Sequence, residues 1–415
     1  MKQTAHQAEQ QPQQYDVLII GGGMVGLTLA CALGQGMLRV AVVEVCEPQD
    51  LAAGEDYALR VSAINKSSQQ VFERLQAWQG MLQRRACAYQ QMHVWDATGD
   101  GKIHFDAADL GTDGLGHIIE NRVVQYALYE QVRRLDSVQL ICPAEVTEID
   151  YQPQGSRVSL RDGRCLSAPL LVGADGAQSA VRQAAQIELE QAAYQQKGVV
   201  AIVKSSLHHQ DTAWQRFLPS GPLAFLPLSD GRCSIVWSAD DQRADELLAM
   251  DEQAFCRELE QAFDCTLGKV EAVSERAAFP LVRRHATHYV KPGLALIGDA
   301  AHTIHPLAGQ GVNLGILDAA ALAEVLLQAR SRGQVFSSLT TLRKYERWRR
   351  ADNSLMMYSM SGFKNLFSNQ QPGLSLLRNA GLDLVNGLGP VKHRFMRHAM
   401  GLEGDLPQMA RPLGW

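Results

Sequence analysis

The first part of the chain alternates short apolar runs with a helix-like segment. Apolar runs lie at 17–20 and 40–43, and the segment between them is rich in small apolar residues. The first run leads into Gly21-x-Gly23-x-x-Gly26, and the second ends at Glu44. Short apolar runs that end at turns are typical of strands buried on both faces. The order strand, glycine turn, helix, strand and acid therefore predicts a β-α-β dinucleotide-binding unit.

Each glycine of such a unit, and the acid, has a physical role that this sequence can fill. Gly21 permits the tight turn, Gly23 lets the backbone approach a pyrophosphate, and Gly26 lets helix and strand pack closely. The helix N-terminus offers free N–H groups and the positive end of its dipole to the phosphates. Glu44 can accept hydrogen bonds from ribose hydroxyls. The motif by itself does not distinguish FAD from NAD, and an ordinary strand–helix turn is the alternative.

The remaining pattern predicts strand-rich segments inserted between parts of an α/β domain. Helices are predicted over 61–78, 123–135 and 249–263 and from Leu339 onwards, a hairpin over 92–106, and strands over 138–149, 157–160, 199–204, 214–219, 223–228 and 234–238. We therefore expect an α/β fold: a Rossmann-like dinucleotide-binding domain, an interleaved β-sheet substrate domain and a helical C-terminal tail. The expected boundaries are a disordered lead-in at 1–14, the dinucleotide-binding domain at 15–84, 111–185 and 281–335, the substrate domain at 85–110 and 186–280, and the tail at 336–415.

Composition narrows the class of protein. The 415 residues are 46% hydrophobic and 20% charged, as in a globular enzyme with two sizeable cores. The net charge of −5 gives no field that favours nucleic acid. No run of about 18 uncharged apolar residues predicts a transmembrane helix, and residues 1–14 lack a secretory pattern. The eight cysteines form no CxxC, so we expect reduced thiols and a cytoplasmic location.

Two further strand patterns end in an acid beside a glycine. The first, at 170–173, is followed by Asp175-Gly176, with Ser179 placed to cap the next helix. The second, at 294–297, is followed by Gly298-Asp299 and by a loop that leads into a helix predicted from Val312 to Leu327. Both patterns repeat the arrangement of an acid at the end of a buried strand.

The loop after Asp299 contains two histidines, His302 and His305, three residues apart. That spacing suggests a metal site, but no third ligand lies near in the sequence, so we expect no metal. A structural or substrate-facing role for His305 is the preferred interpretation.

The three ordered motifs resemble the FAD-dependent aromatic hydroxylases, the flavoprotein monooxygenases with the para-hydroxybenzoate hydroxylase fold. The resemblance spans residues 15–330 and implies FAD as the cofactor and NAD(P)H as its reductant. It implies that O2 reacts at C4a of the reduced flavin and that a phenol ring receives one oxygen atom. The implied FAD contacts are the pyrophosphate at Gly21, Gly23 and Gly26, the adenosine ribose at Glu44, the ribityl side at Asp299, and the flavin ring at the backbone of Gly309, Gly311, Val312 and Asn313.

Other positions acquire roles through the same resemblance. Asp175 matches the acid that is expected to link FAD and reductant binding. Arg60 resembles the family arginine that adjusts the flavin position, although a surface cation at a strand start is the alternative. Asn121 and Gln125 are candidates for FAD contact. Arg60, together with His305 and Pro306, is a candidate catalytic residue through positioning of the flavin or the substrate.

A closer resemblance is to the ubiquinone-biosynthesis branch of these hydroxylases. It is carried by the blocks at 60–65, 116–121, 224–228, 234–238 and 298–315. This resemblance implies hydroxylation of a polyprenylphenol ring, with C5 preferred, C6 or C1 as paralogous alternatives, and an isoprenoid reductase as a more distant one. The implied partners are the polyprenylphenol, O2 and other ubiquinone-biosynthesis proteins, with homo-oligomer formation left open.

The C-terminal tail combines apolar residues at helical spacing with later basic residues. The apolar set is Met356, Met357, Met360, Phe363, Leu366 and Phe367, and the basic set is Lys392, Arg394 and Arg397. The pattern predicts either ordinary packing of helices or a face for a membrane or partner protein. The second interpretation would place the protein peripherally at the inner face of the membrane.

Overall fold

The computed structural model of the protein describes residues 12–52, 54–304, 311–368 and 389–412, without the side chains of 359–361, 363–368, 390, 391, 395 and 399. The strands are β1 (Gln13–Gln14), β2 (Val17–Ile20), β3 (Val40–Val43), β4 (Val61–Asn65), β5 (Ala86–Tyr89), β6 (Gln91–Asp96), β7 (Lys102–Asp106), β8 (Gly116–Glu120), β9 (Val138–Ile141), β10 (Val146–Asp150), β11 (Ser156–Leu160), β12 (Cys165–Ala168), β13 (Leu170–Gly173), β14 (Leu189–Ser205), β15 (Thr212–Leu218), β16 (Gly221–Pro227), β17 (Cys233–Asp240), β18 (Val270–Val273), β19 (Ala277–Ala286), β20 (Val290–Lys291), β21 (Leu294–Leu296) and β22 (His302–Thr303).

Helices cover the sheets and form the C-terminal part of the described chain. They are α1 (Met24–Gln35), α2 (Lys66–Arg74), α3 (Trp78–Arg84), α4 (Asn121–Val132), α5 (Ala180–Ala184), α6 (Asp241–Ala249), α7 (Glu252–Ala262), α8 (Gly311–Ser331), α9 (Leu339–Ser368) and α10 (Gly389–Ala399). Short 3₁₀ turns lie at Ala107–Leu110, Gly298–Ala300 and Gln408–Ala410.

A six-stranded sheet in the order β20-β21-β13-β2-β3-β9 forms the centre of the first core. Its strands from β21 to β9 pair in parallel, and β20 is antiparallel at one edge. Strands β2, β3 and β13 are buried at every position, as expected for a parallel sheet that has helices on its faces. Because β2, β13 and β21 are neighbours and parallel, the loops that follow them meet at one edge of the sheet.

A second sheet carries the strands that the sequence assigned to a substrate domain. Its order is β22-β19-β14-β17-β16-β15-β6-β7, with β18 also paired to β14. Helices α6 and α7 pack near it over a separate apolar core in which the rings of Phe225 and Phe263 stack 4.0 Å apart. In chain order, β6 and β7 lie between β3 and β9 of the first sheet, and β14 to β19 lie between β13 and β20. The predicted interleaving of the two parts is thus visible in the sheet topology.

Two small sheets complete the strand pairing. One has the order β4-β8-β5 and the other the order β1-β12-β11-β10. Residues Gln13–Gln14, which the sequence analysis placed in a disordered lead-in, form strand β1 and pair with β12.

Helix α8 is the main helix of the first core. It packs against α1 and α9. By length and composition α8 could cross a membrane, but most of it is buried inside the protein, as is typical of the core helix of a globular protein. A Cβ atom at Gly315 would lie 2.7 Å from Val25 Cγ2 and 3.2 Å from Gly298 Cα. Glycine at this position therefore allows α8 to approach both α1 and the turn after β21.

Three of the predicted elements were wrong because each covers more than one observed element. The helix predicted over 61–78 begins only at Lys66, because the residues before it pair with β8 as strand β4 and the Asn65 side chain accepts a hydrogen bond from Ser68 N at 3.0 Å. The strand predicted over 138–149 is two strands, β9 and β10, in different sheets.

The helix predicted over 249–263 is also two elements. Helix α6 ends at Ala249, and α7 begins at Glu252 after Asp251, whose side chain accepts from Ala254 N. The apolar periodicity continues across the break, so the N-cap at Asp251 was the overlooked signal.

Two phenylalanines of the second sheet should contribute differently to stability, because one is buried in the second core and the other is exposed. Phe225 is 1% exposed and Phe279 is 43% exposed. Because Phe225→Ala leaves a cavity against Phe263, we expect it to lower the free energy of unfolding by about 3–5 kcal/mol. Phe279→Ala, the matched control, should cost about 1 kcal/mol or less. Urea denaturation of both variants measures this difference, and equal losses would contradict the assignment of the second core.

Candidate functional site

The glycine turn after β2 has two positions that the protein itself requires and one that it leaves open. Gly21 has φ +105°, and a Cβ atom there would lie 2.3 Å from Ala174 O. A Cβ atom at Gly26 would lie 2.0 Å from Gly21 O. At Gly23, by contrast, a Cβ atom would meet no described atom within 4 Å. The space beside Gly23 and the N-terminus of α1, which has no side-chain cap, therefore fits a phosphate group.

Both backbone polar groups of Gly22 form hydrogen bonds with side chains. Its N–H donates to Glu44 Oε2 at 2.6 Å, and its carbonyl accepts from Gln125 Nε2 at 2.8 Å. Glu44 Oε1 also accepts from Val45 N at 2.8 Å. A carboxylate has about four acceptor positions, so Glu44 can support the turn and still accept from a ribose hydroxyl. Gln125, proposed from sequence as an FAD contact, has a definite role here in orienting the glycine turn.

The acid after β13 has one oxygen bound and one free for a partner. Asp175 Oδ2 accepts from Val181 N at 3.1 Å. Its Oδ1 is buried and makes no hydrogen bond within the described part of the chain. A buried acceptor without a partner is costly, and such an atom at a site edge is suited to a bound donor.

Arg182 connects the turns after β13 and β21. It is 5% exposed, and its guanidinium donates to Ala177 O and Ala300 O, both at 2.9 Å. Ser179 caps the short helix α5 by accepting from Arg182 N at 2.9 Å, as the sequence predicted. Desolvation by burial lowers the pKa of Arg182, and Asp175 partly offsets this effect. The sequence analysis missed the role of Arg182.

Asp299 lies in the turn after β21. Its side chain is exposed to solvent, yet enough protein surrounds it that desolvation raises its pKa, while His302, Arg60 and Arg284 act in the opposite direction. Exposure and desolvation coexist when a group lies on the floor of a deep opening. The carboxylate is thus available to a ligand that enters this opening.

Arg60 lies on the surface directly before β4. Its guanidinium carbon is 5.7 Å from the centre of the Phe279 ring, a cation–π distance. It is also among the positive charges that lower the pKa of Asp299. Asn121 supports this region, since its backbone N–H donates to Arg60 O at 3.0 Å and its side-chain oxygen accepts from Ser62 Oγ at 2.7 Å.

The first turn of α8 is attached to the junction of β4 and α2. Asn313 is 1% exposed; its Oδ1 accepts from Asn65 N at 3.1 Å and Ser68 Oγ at 2.8 Å, and its Nδ2 donates to Ala63 O at 2.8 Å. The Asn313 side chain is therefore engaged in protein contacts, and a ligand would contact the backbone at this position.

The other predicted residues of this loop divide into two groups. Gly311 and Val312 lie at the start of α8, and the nearest described atom to a Cβ at Gly311 is Ile304 Cγ1 at 3.8 Å. His305, Pro306 and Gly309 lie outside the described residues.

The structure also shows a buried polar cluster beside the 298–302 turn, formed by Asp318, His302, Arg349 and Asn353. The sequence analysis did not identify it. The available signal was Asp318 itself, an acid within the apolar pattern of α8 that requires a buried partner.

Relatives of this chain extend over nearly its full length. The chain is 39% identical to a 3-demethoxyubiquinol 3-hydroxylase of Escherichia coli, covering 94% of this chain and 99% of that protein. It is 38% identical to a ubiquinone hydroxylase of Rhodospirillum rubrum over 93% of this chain and 89% of that protein. The mitochondrial ubiquinone biosynthesis monooxygenase of Homo sapiens is 36% identical, with coverage of 93% and 92%.

Fold comparison and the family model agree with the geometry. The crystal structure of a p-nitrophenol 4-monooxygenase from Pseudomonas putida superposes with a TM-score of 0.76 at 21% identity, covering 94% of this chain and 98% of that chain, which confirms the fold. The model of the family described as FAD binding domain matches residues 14–357. The chain belongs to this FAD-binding family of flavin-dependent aromatic monooxygenases.

Proposed function

We propose that this monooxygenase hydroxylates the ring of a polyprenylphenol in ubiquinone biosynthesis, with FAD as cofactor and NAD(P)H as reductant. The observation that carries the proposal is the end-to-end likeness to the 3-demethoxyubiquinol 3-hydroxylase, at 39% identity over 94% of this chain and 99% of that protein. Two further relatives named for ubiquinone support the same substrate class.

The proposed position of FAD follows the edge where β2, β13 and β21 end. The open space at Gly23 and the start of α1 would receive the pyrophosphate. Glu44 would bind the adenosine ribose, and Asp299 would bind hydroxyls on the ribityl side. The backbone at Gly309, Gly311, Val312 and Asn313 would face the flavin ring.

When bound, FAD supplies the electron transfer and the activation of O2. The protein binds and orients the reactants and excludes water. The N-terminus of α8 would direct its positive dipole end towards the pyrimidine side of the ring and stabilise negative charge there. The exposed guanidinium of Arg60 would adjust the ring position, and His305 and Pro306 would lie on the substrate side. The Oδ1 of Asp175, which has no hydrogen-bond partner among the described residues, would accept a hydrogen bond from the bound cofactor or reductant.

The proposed ring position is C5. The alternative ring positions are C6 and C1, which correspond to the paralogous activities; the 39%-identical relative is named for position 3 of a demethoxyubiquinol. An isoprenoid reductase has no specific support, since the relatives are named as hydroxylases and monooxygenases.

A lipid substrate suggests peripheral contact with the inner face of the membrane, and α9 offers a surface for it. The exposed stripe of α9 runs from the basic residues Arg343, Lys344 and Arg347 to Leu355 and Tyr358, which are 61% and 65% exposed. Basic and apolar residues on one exposed helix face suit an anionic lipid surface. Contact with another ubiquinone-biosynthesis protein, or with a second copy of this chain, is the alternative use.

Complementation tests the proposed reaction and ring position together. Expression in strains that each lack one ring hydroxylase should restore ubiquinone in the C5-deficient strain, measured by mass spectrometry of quinones and their intermediates. Rescue of only another strain would reassign the ring position. Failure in every strain, with FAD-loaded protein present in each, would remove the ubiquinone assignment.

Gly23→Ala should affect FAD more than the fold. Because a Cβ at Gly23 meets no described atom within 4 Å, the apoprotein should lose no more than about 1 kcal/mol of stability, mainly through the helix cap. FAD affinity, measured by fluorescence titration, should fall about tenfold or more, equivalent to about 1.4 kcal/mol. Gly26→Ala provides the contrast, since its Cβ would meet Gly21 O at 2.0 Å and should lower stability as well. Normal FAD affinity in Gly23→Ala would contradict the pyrophosphate position.

Asp299→Asn should separate cofactor binding from stability. Desolvation raises the pKa of Asp299, so the folded protein holds this proton more tightly than the unfolded chain. Ionisation therefore disfavours folding as the pH rises above about 4, the ordinary range for an aspartate. The variant apoprotein should be at least as stable as the wild type at pH 7, and any gain should disappear below about pH 4.

The same variant should bind FAD at least about tenfold more weakly, because hydrogen bonds to a carboxylate contribute about 1.5–3 kcal/mol each. Asp162→Asn is the control, because Asp162 is an exposed turn residue that is not among the proposed FAD contacts. Hydrogen bonds from Arg164 lower its pKa, whereas the pKa of Asp299 is raised. The control should leave FAD affinity unchanged. Thermal unfolding across pH and FAD titration measure both effects; unchanged FAD affinity in Asp299→Asn would exclude the proposed role.

A further inference from the structure

A fully buried carboxylate joins α8 to the turn that carries Asp299. Asp318 lies in the middle of α8 with no exposed surface, and each of its two oxygens faces a different neighbour. Oδ2 accepts from Gly298 N at 3.2 Å and from His302 Nε2 at 2.5 Å. These two donors belong to the ends of the turn that has Asp299 between them.

The other oxygen of Asp318 faces α9. Oδ1 accepts from Arg349 Nε at 2.9 Å and from Asn353 Nδ2 at 3.1 Å. Arg349 also donates to Asn353 Oδ1 at 3.0 Å. The side chains of Arg349 and Asn353 are as completely buried as Asp318, at 1% and 0% exposed. One carboxylate thus connects the turn, α8 and α9.

The protonation state of this cluster follows from its contacts. Burial alone would raise the pKa of Asp318, but the hydrogen bonds and charges of His302 and Arg349 outweigh it, so the pKa is lowered. With Asp318 ionised, His302 Nε2 carries the hydrogen that it donates. The negative charge of Asp318 is balanced by Arg349, whose Nη1 additionally donates to Asp352 at 3.0 Å.

Stability by itself does not account for this arrangement. Apolar side chains of similar volume commonly replace a buried ion pair without loss of stability. A hydrogen-bonded carboxylate does what an apolar contact cannot: it specifies the direction of the groups that donate to it. Gly298 has φ +58°, so the turn has an unusual backbone conformation that these bonds hold in place.

We propose that Asp318 is a positioning residue for the cofactor: together with Arg349 and Asn353 it holds the 298–302 turn so that Asp299 faces FAD. Helix α9, although it lies outside the β-α-β unit, is then part of the cofactor-holding structure. This inference rests on the proposed contact between Asp299 and FAD.

Two substitutions test the proposal from opposite ends of the cluster. His302→Phe removes the side-chain donor on the turn, and Asn353→Leu removes one of the two donors on α9 without changing the turn. In folded protein, shown by circular dichroism, we expect each to weaken FAD binding about tenfold or more in fluorescence titration of the apoprotein. His302→Gln, which keeps a donor of similar reach, should recover most of the affinity.

A matched control distinguishes positioning from general stability. His209 is a buried histidine in the loop between β14 and β15, 1% exposed, with its Nε2 3.0 Å from Leu228 O. His209→Phe should lower the melting temperature as His302→Phe does, while FAD affinity stays within about twofold of the wild type. Wild-type affinity in both His302→Phe and Asn353→Leu would overturn the proposal, whatever their melting temperatures.

Hydrogen exchange of the wild-type protein gives an independent test that needs no variant to fold. Because binding and conformational order are linked reciprocally, FAD should slow amide exchange both in the 298–302 turn and in α9 at 345–357. Protection confined to the turn would overturn the role of α9. Unchanged FAD affinity in Asp299→Asn is a different failure, since it would refute the proposed cofactor contact and not the link between the turn and α9.

Discussion

The parallel order of three adjacent strands is the constraint on which the rest of the structure depends. Strands β2, β13 and β21 lie side by side in one sheet, so the glycine turn, the Asp175 turn and the Asp299 turn emerge at the same edge. These turns are separated by more than a hundred residues of sequence. Only the pairing of β13 with both of its neighbours brings the glycine turn and the acidic turns to the same edge of the sheet.

Close backbone contacts then determine what each turn can offer to a ligand. Gly21, Gly26 and Gly315 are needed for the protein to pack against itself, because a Cβ atom at any of them would meet a neighbour at less than 3 Å. Gly23 has no such neighbour among the described residues, and its missing side chain leaves room for something outside the chain. Glycines in one motif thus serve two different purposes, and only coordinates separate them.

Polar side chains around this edge of the sheet mostly hold backbone. Gln125 and Glu44 fix the Gly22 peptide, Arg182 connects two turns, and Asn313 ties α8 to β4. Asp299 differs from them, since the residue is exposed to solvent although the surrounding protein raises the pKa of its carboxyl group by desolvation. Hydrogen bonds of this kind restrict the backbone of the turns, and restricting a loop before a ligand binds reduces the ordering cost of binding.

Sequence by itself determined the class of fold and the family, and it placed the glycine turn and the two acids at the ends of strands. This was possible because the glycine motif, the two acids at strand ends and their order depend on local patterns within short segments. The helix predicted over 61–78 and the single strand over 138–149 were wrong because pairing with distant strands decided those segments, and no local pattern reports such pairing. The tertiary structure alone assigned partners to Asn313, Arg182 and Asp318. Their hydrogen bonds join residues far apart in the chain, and a buried polar side chain signals that it needs a partner without specifying which one.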